Sequence, residues 1–498
     1  MDTQETWTGS GFYGRPILDA AHQPDTRSTV RTIVLVGAGF SGTAVAIHLL
    51  RLPHAEPLRI VLIEREQMAR GIAYARRDKP YLLNVPAARM SLNAAEPLQF
   101  LAYAQRSLPK ATAGDFLPRD LYGQYLEASL LSAARAAPLH VRLQCLHAEV
   151  TAVEKPHRAA TVRVQLDTGR TITADAVVLA PGNPAPAALP GATGLPRSRY
   201  VADPWQTPPA FRAGETVLVV GTGLTMADIV LGGAEAAAGR ANIHALSRHG
   251  LIPACQTDSH QVQDEWHGRA LTRGTSMSVR RLVREVRALA ADIELRGGDW
   301  RQAIAAVRGM APQLWQGMAP GERKRFLRHV QSYWDAHRHR LPQPTWSALH
   351  ELRRSGRLQV HAGRLLDLEQ VERKVRVTWR ARGTSAATTL LVDRVVNCTG
   401  PQYDPRYSRE RLLRSLIAEG LATPDVLGLG IVTNDHGALV DTSGRTVSNL
   451  YYIGPMLRPR LWETTAVQEL RTYAEELARH VAVSTRSRRA WAAGAAAS

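Results

Sequence analysis

Cysteine and lysine are the scarce residues of this 498-residue chain. Its three cysteines, Cys145, Cys255 and Cys398, lie far apart and form no Cys-x-x-Cys pair. That excludes a paired-cysteine zinc site, an iron–sulfur cluster and a disulfide that relays electrons, and no metal is expected. Only five of the 62 basic residues are lysine (Lys79, Lys110, Lys155, Lys324 and Lys374), so arginine spread along the chain carries almost all of the formal +18 charge. Arginine in place of lysine, together with abundant alanine, follows from a GC-rich coding sequence. Nucleic acid is therefore not an expected partner, whereas the summed positive field favours small anionic ligands. No run of 18 apolar residues occurs, and the opening MDTQETWTGSGFYGRP has neither a basic n-region nor an apolar h-region. A soluble cytoplasmic protein without membrane contact is the expectation.

What is present is a dense α/β pattern, 45% hydrophobic, long enough for about three domains. The stretch TIVLVGAGFSGTAVAIH, Thr32 to His48, reads as a buried strand, a glycine turn and a helix. Gly37, Gly39 and Gly42 form G-x-G-x-x-G in the context that gives it meaning, strand before and helix after. Gly37 permits the turn, Gly39 lets the backbone approach a pyrophosphate, and Gly42 lets helix and strand pack closely. The N–H groups opening the helix, at Phe40 and Ser41, face phosphate oxygens, each such contact contributing about 0.3–1 kcal/mol. A second strand, Arg59 to Ile63, ends in Glu64, a carboxylate placed for a ribose diol.

Between Gly71 and Asn93 the sequence GIAYARRDKPYLLNVPAARMSLN is too irregular for one helix or strand and reads as an ordered loop over a ligand, with Asn84 within it. DFLPRDLYGQYL, from Asp115, leads into a helix ending near Ala136. Alternating segments from Ala148 to Leu166 form a β-meander, and the buried strand Ala176 to Leu179 exits at Pro181 and Gly182.

At Glu215 the pattern restarts. Thr216 to Val220 is a strand, and Gly221 and Gly223 stand in place, but Met226 occupies the third glycine position; Thr225 lies in the turn. The next strand, Ile243 to Leu246, ends in Ser247, Arg248 and His249, where Arg248 suits an adenosine 2′-phosphate or stacks on adenine. A second meander (357–380) leads to a strand from Val392 to Asn397 and an exit at Gly400, so ADAVVLAPG (174–182) and VDRVVNCTG (392–400) are equivalent. Repetition of one supersecondary unit is the stronger signal. NLYYI, Asn449 to Ile453, is a further strand before Gly454, and Thr464 and Thr465 open a helix to Ala478, placed to stabilise negative charge on a reduced flavin ring.

The fold class is therefore α/β: two Rossmann-like dinucleotide-binding domains, for FAD and NAD(P)H, the second inserted in the first, with β-meanders and a helical insertion. The expected boundaries are a loose arm over 1–29, an FAD domain over 30–210 and 390–483, an NAD(P)H domain over 211–250 and 348–389, a helical insertion over 251–347, and a loose tail over 484–498. The insertion carries five tryptophans and RKRFLRHVQSYWDAHRHR; it reads as a substrate lid offering Arg338 and His337 to an anion, or as a cap whose tryptophans are core.

VGAGFSGTAVAIHLL, GIAYARRDKPYLLNVPAARMS, FLPRDLYGQYL, VVGTGLTMAD, RFLRHVQSYWDAHRHR and YYIGPMLRPRLWETTAVQELR together resemble the bacterial NAD(P)/FAD-binding proteins of the two-dinucleotide flavoprotein class, over nearly the whole chain. The resemblance implies FAD at Gly37, Gly39, Phe40, Ser41, Gly42, Glu64, Asn84, Gly182, Gly400, Gly454, Thr464 and Thr465, and NADH or NADPH at Gly221, Gly223, Thr225 and Arg248. One branch is similar to FAD-dependent urate hydroxylases, which make 5-hydroxyisourate. With no cysteine route for the electrons, oxygen or a small substrate receives them, and a monooxygenase acting on urate is the expectation. The alternatives are an N-hydroxylase of an amine or amino acid and a non-catalytic flavin-binding regulator. No catalytic side chain is assigned.

Overall fold

The computed structural model describes residues 30–75, 81–156, 159–257 and 278–497, with side chains as far as Thr485. The expected arm over 1–29, residues 76–80 of the first loop, and Trp266 in the insertion lie outside these residues.

Strand β1 (Arg31–Val36) is buried at every position, as a β-branched and leucine run must be when both faces of a parallel sheet are covered. It passes through the glycine turn into α1 (Phe40–Arg51), then β2 (Leu58–Glu64), the short helices α2 (Gly71–Tyr74) and α3 (Gln99–Ala104), the long α4 (Arg119–Ala136) and β3 (Val141–His147). The three-stranded meander β4 (Val150–Glu154), β5 (Val162–Leu166) and β6 (Thr171–Ala174) returns the chain to β7 (Ala176–Leu179). β7 lies parallel to β1, with Val34 opposite Val177.

After the two-residue β8 (Tyr200–Val201) the same plan begins again with β9 (Thr216–Val220), α5 (Leu224–Ala236) and β10 (Asn242–Ser247). Among the described residues six helices follow: α6 (Val279–Leu295), α7 (Arg301–Gly309), α8 (Ala311–Gly317), α9 (Pro320–His329), α10 (Gln331–Arg338) and α11 (Gln343–Arg354). The second meander is β11 (Leu358–Val371), β12 (Lys374–Ala381) and β13 (Ala387–Val392), and β14 (Arg394–Asn397) inserts beside β9. The chain then returns through α12 (Arg411–Ala418), β15 (Ala438–Val440), β16 (Thr446–Tyr452) and α13 (Arg458–Leu461) to α14 (Val467–Ala497).

The first sheet runs in the order β15, β16, β7, β1, β2, β3, and the second β13, β12, β11, β10, β9, β14, β8. Because β16 pairs with β7, the first sheet is completed only after the second unit has been traversed. One nucleotide fold is inserted in the other, as expected. The boundaries differ: β8 and β14 both belong to the second sheet, so the inserted unit spans 200–397 and not 211–389. A two-residue strand has no periodicity to read, and β14 resembles β7 so closely that its sheet is settled only by pairing.

Alternation along β1 and β9 sets both cores. Ile33 and Leu35 pack beneath α1, α4 and α14, whereas Val34 and Val36 pack against the first meander and α12. In the second unit Val217 and Val219 face α5 and α11, while Leu218 and Val220 face Val375, Val377 and Trp379 of the second meander. Of the insertion's described tryptophans Trp315 is buried, while Trp300, Trp334 and Trp346 are half-buried; the Trp315 ring lies 4.8 Å from the tilted ring of Trp462 and, with Met318 and Phe326, fastens the insertion to the segment before α14. The final helix continues to Ala497, past Ser484 where a loose tail is expected from sequence.

Candidate active site

A cleft of about 470 Å³ opens along the carboxyl ends of β1, β2 and β7, the place where ligands bind in parallel α/β sheets. Val36, Gly37, Gly39, Phe40 and Ser41 line one wall, with Glu64 at the end of β2 and Ala180 to Gly182 after β7. Glu64 is held in place by two backbone donors: the Ala38 N–H reaches Oε2 at 2.7 Å and the Glu66 N–H reaches Oε1 at 3.0 Å. Each oxygen keeps a further lone pair for a hydroxyl donor.

The glycines do different work. At Gly37 (φ +95°) a Cβ would drive into the Ala180 carbonyl, and at Gly42 it would meet the Gly37 carbonyl; both are required by the chain's own packing. Gly39 differs: its φ is −69° and an added Cβ would meet only Gly71 Cα at 3.7 Å. Gly182 (φ +77°) and Gly400 (φ +85°) have nothing within 4 Å of where a Cβ would sit. Room is left beside the backbone in the cleft wall, and the first turn of α1 has no side-chain cap. Uncapped amides beside open glycine backbone fit a pyrophosphate.

The cleft continues past Asn84 and Val85 to Pro455, Met456 and the residues Thr465, Ala466 and Val467 at the start of α14. It also reaches Leu224 and Thr225 at the start of α5, Gly400 and Pro401, and Arg338 and His339 at the end of α10. The two nucleotide units and the helical insertion thus meet in one space. Arg119 Nη2 donates to Asp228 Oδ2 at 2.8 Å across the cleft, joining α4 to α5; burial holds the Asp228 carboxyl above its usual range even so.

Other expected positions fall elsewhere. Gly221 (φ +107°) would place a Cβ into the Cys398 carbonyl, Gly223 is open, and α5 has no side-chain cap. These glycines and Arg248, which is exposed just beyond β10, do not line the first cleft, although Leu224 and Thr225 directly after Gly223 do. Met226 is fully buried in the second core. Thr464 is a correction: α14 starts at Val467, so Thr464 does not cap it, and its buried hydroxyl donates to the Pro455 carbonyl at 3.1 Å. Gly454 (φ +135°) shapes the turn ahead of Pro455 but does not line the cleft.

His337 is also corrected. It is exposed, its Nδ1 lies 2.7 Å from the Tyr333 carbonyl, and its ring meets the edge of Trp300. His339 takes the cleft position instead, because the chain leaves the helix there (φ −95°, ψ +82°) and turns that ring inward. Arg338 does line the cleft, but its charge is matched: Nη2 donates to Glu463 Oε2 at 3.1 Å, with 10% and 4% of the two side chains exposed. Trp334 Nε1 donates to the same carboxylate at 3.3 Å. Nothing in residue order links Glu463 to Arg338, 125 residues away.

Enclosure, followed by the nearby Arg338, Arg458 and Arg308 charges, pushes the His339 pKa down to about 3. Its ring is neutral at physiological pH and offers one donor and one acceptor. Since the unfolded imidazole titrates near its ordinary value of 6.5, the unfolded chain binds more protons between pH 6.5 and 3, and stability falls as pH falls through that window. The expected result is that His339→Gln flattens this acid limb in thermal melts from pH 7 to pH 4. An unchanged slope would show that His339 is not the group responsible.

Residues 34–184 match the FAD-NAD(P)-binding family. The match covers the first glycine turn, Glu64, Asn84 and the Gly182 exit, so the cleft is largely built by the matched segment. No curated protein sequence matches the chain. Solved structures align over almost its whole length. The ornithine N-hydroxylase of Kutzneria sp. 744 shares 16% identity at a TM-score of 0.59, covering 91% of this chain and 99% of that one. The L-lysine 6-monooxygenase of Pseudomonas syringae shares 17% at 0.61 with the same coverage. The cadaverine monooxygenase of Erwinia amylovora, solved with FAD, shares 14% at 0.56, covering 91% and 95%. The chain has the two-dinucleotide-binding-domain flavoprotein fold, and the matched segment 34–184 lies in its first unit.

Proposed function

We propose that the protein is an FAD- and NADPH-dependent monooxygenase that hydroxylates the nitrogen of a small amine or amino acid. One observation carries the reading: a single cleft joins the first glycine turn to the start of α5 and to a polar end at Arg338 and His339. The fold shared with ornithine, lysine and cadaverine hydroxylases supports an amine nitrogen as the target in preference to urate. Urate, an anion near neutral pH, is the alternative that the test below separates from an amine.

FAD bound in this cleft would take a hydride from NADPH and pass the electrons to oxygen. The chain's own part is positioning and exclusion. The uncapped start of α1, with Gly39, Phe40 and Ser41, would hold the pyrophosphate, and Glu64 the ribose. Thr465, Ala466 and Val467 would place the positive end of α14 beside the flavin's pyrimidine edge, where it favours negative charge. Val85, Pro455 and Met456 would exclude water from the reacting end. Gly221, Gly223 and Thr225 would carry the nicotinamide dinucleotide, with Arg248 on its 2′-phosphate.

The test is oxygen uptake and NADPH oxidation by the FAD-loaded protein with L-ornithine, L-lysine, cadaverine and urate. An amine is expected to accelerate both, with little hydrogen peroxide and a hydroxylamine product. Acceleration by urate alone would replace the N-hydroxylase reading, and flavin binding without turnover on any substrate would favour a regulator. Arg248→Ala is expected to raise KM about tenfold for NADPH and to leave NADH unaffected, the size of one charge-assisted hydrogen bond. Equal effects on the two would remove the 2′-phosphate role.

A further inference from the structure

Beyond Arg338 and His339 the chain carries a third polar residue, Arg340, which differs from Arg338, Arg308 and Arg301 in having no carboxylate hydrogen-bonded to it among the described residues. Arg338 is paired with Glu463. Arg308 makes a two-pronged pair with Glu469, at 2.6 and 2.7 Å. Arg301 binds Asp299 at 2.8 Å, donates to the Cys255 carbonyl, and lies over Trp300 at 4.5 Å. Arg340 has no such partner among the described residues: its Nε and Nη1 are shut off from solvent and make no hydrogen bond.

An enclosed guanidinium with open donors costs stability, and natural structures retain one where something else completes it. The surrounding charge sharpens the point. Burial and the neighbouring Arg301, Arg338 and Arg89 push the Arg340 pKa down to about 10, opposed only by Asp299. That carboxylate is already committed to Arg301 and to its backbone N–H. Arg89 belongs to the loop whose Asn84, Val85 and Met90 line the cleft, and Arg340 follows directly on the lining pair Arg338 and His339. Surplus positive charge therefore lies beside the cleft wall at Arg338 and His339, although Arg340 itself is not among the residues that line it. The cofactor phosphates have other places, at the start of α1 and beside Arg248.

We propose that Arg340 is the seat of the substrate's own anionic group, a planar organic oxyanion gripped by the guanidinium fork. The inference rests on the monooxygenase reading and narrows it. Such a group is the α-carboxylate of an amino acid or the delocalised anion of urate, and a bare diamine has neither. A guanidinium presents parallel donors to two coplanar acceptors, which a lysine ammonium does not.

The experiment is isothermal titration of the oxidised, FAD-loaded protein with L-lysine, L-ornithine, cadaverine, putrescine and urate, with turnover followed in parallel. At least one anionic probe is expected to bind about 30-fold more tightly than the diamines. Arg340→Gln should erase that preference, and Arg340→Lys should restore part of it. If both amino acids respond the anion is a carboxylate, and if only urate responds it is the ring. Diamines binding as tightly as the anions, no probe binding at all, or Arg340→Gln changing anion affinity less than twofold would overturn the proposal. Anion binding that depends on Arg340 without coupled hydroxylation would leave the seat standing and remove the monooxygenase reading. Diamine hydroxylation indifferent to Arg340 would do the opposite.

Discussion

Gly39→Ala is expected to purify folded and colourless. At φ −69° any L-residue is at ease, and the new methyl would touch only Gly71 Cα, at an ordinary van der Waals distance of 3.7 Å. Thermal stability of the flavin-free variant should therefore stay close to that of the flavin-free native chain. The same methyl occupies the space beside the uncapped amides of α1 where a pyrophosphate would lie. Losing close backbone approach there is expected to weaken FAD at least 100-fold, about 3 kcal/mol. Gly37→Ala and Gly42→Ala are the contrast: both strike the chain's own carbonyls and should lower stability before any ligand is added. A yellow Gly39→Ala protein with one flavin per chain would mean that the cleft does not hold the cofactor in this orientation.

The second large effect is expected at Arg338. Replacing it with methionine leaves Glu463, 4% exposed, as a buried charge with, among the described residues, only Trp334 Nε1 donating to it. Breaking one side of a buried pair typically costs about 3–5 kcal/mol, because the remaining ion keeps its desolvation penalty and loses its compensation. Arg338→Met should show that loss in urea unfolding at pH 7, and adding Glu463→Gln should recover most of it. Two single variants that each cost under about 1 kcal/mol would mean the pair is solvated in solution.

Much of this was legible in residue order because the relevant physics is local. Gly37, Gly39 and Gly42 flanked by RTIVLV and a helical run specify a strand, a turn and a helix without reference to anything distant. The second copy at Thr216 and the paired exits at Gly182 and Gly400 then gave the nesting. The first strands of both units lie within a residue or so of expectation. What could not be read was long-range. β8 is too short to have a pattern, and β14 joins the second sheet by pairing with β9. Glu463 meets Arg338 only once α13 has packed on the insertion.

The imidazole was misplaced for a related reason. A helical reading of RHVQSYWDAHRHR gives His337 and His339 equal claim, and the choice depends on where the helix ends. Departure from helical dihedrals at His339 turns its ring into the cleft and leaves His337 beside Trp300. Thr464 differs for the same reason: a threonine close before a helical run looks like a cap, but α14 begins three residues later, at Val467, and the chain uses the Thr464 hydroxyl to brace the Pro455 turn.

The nesting of the two units also sets an order in time. A ribosome delivers β1 to β7 first, then the whole of 200–397, and only afterwards β16, which must add beside β7, and α14, which covers α1. Arg31, at the very start of β1, is fully buried; its guanidinium is held by His54 and by Ala482 and Thr485 of that last helix. Domains fold as units while they emerge, so the inserted unit is complete while the first half-sheet still waits, its edge uncovered, for its partners. Nascent chains truncated at about residue 400 should accordingly present a protease-resistant second unit and a digestible first one.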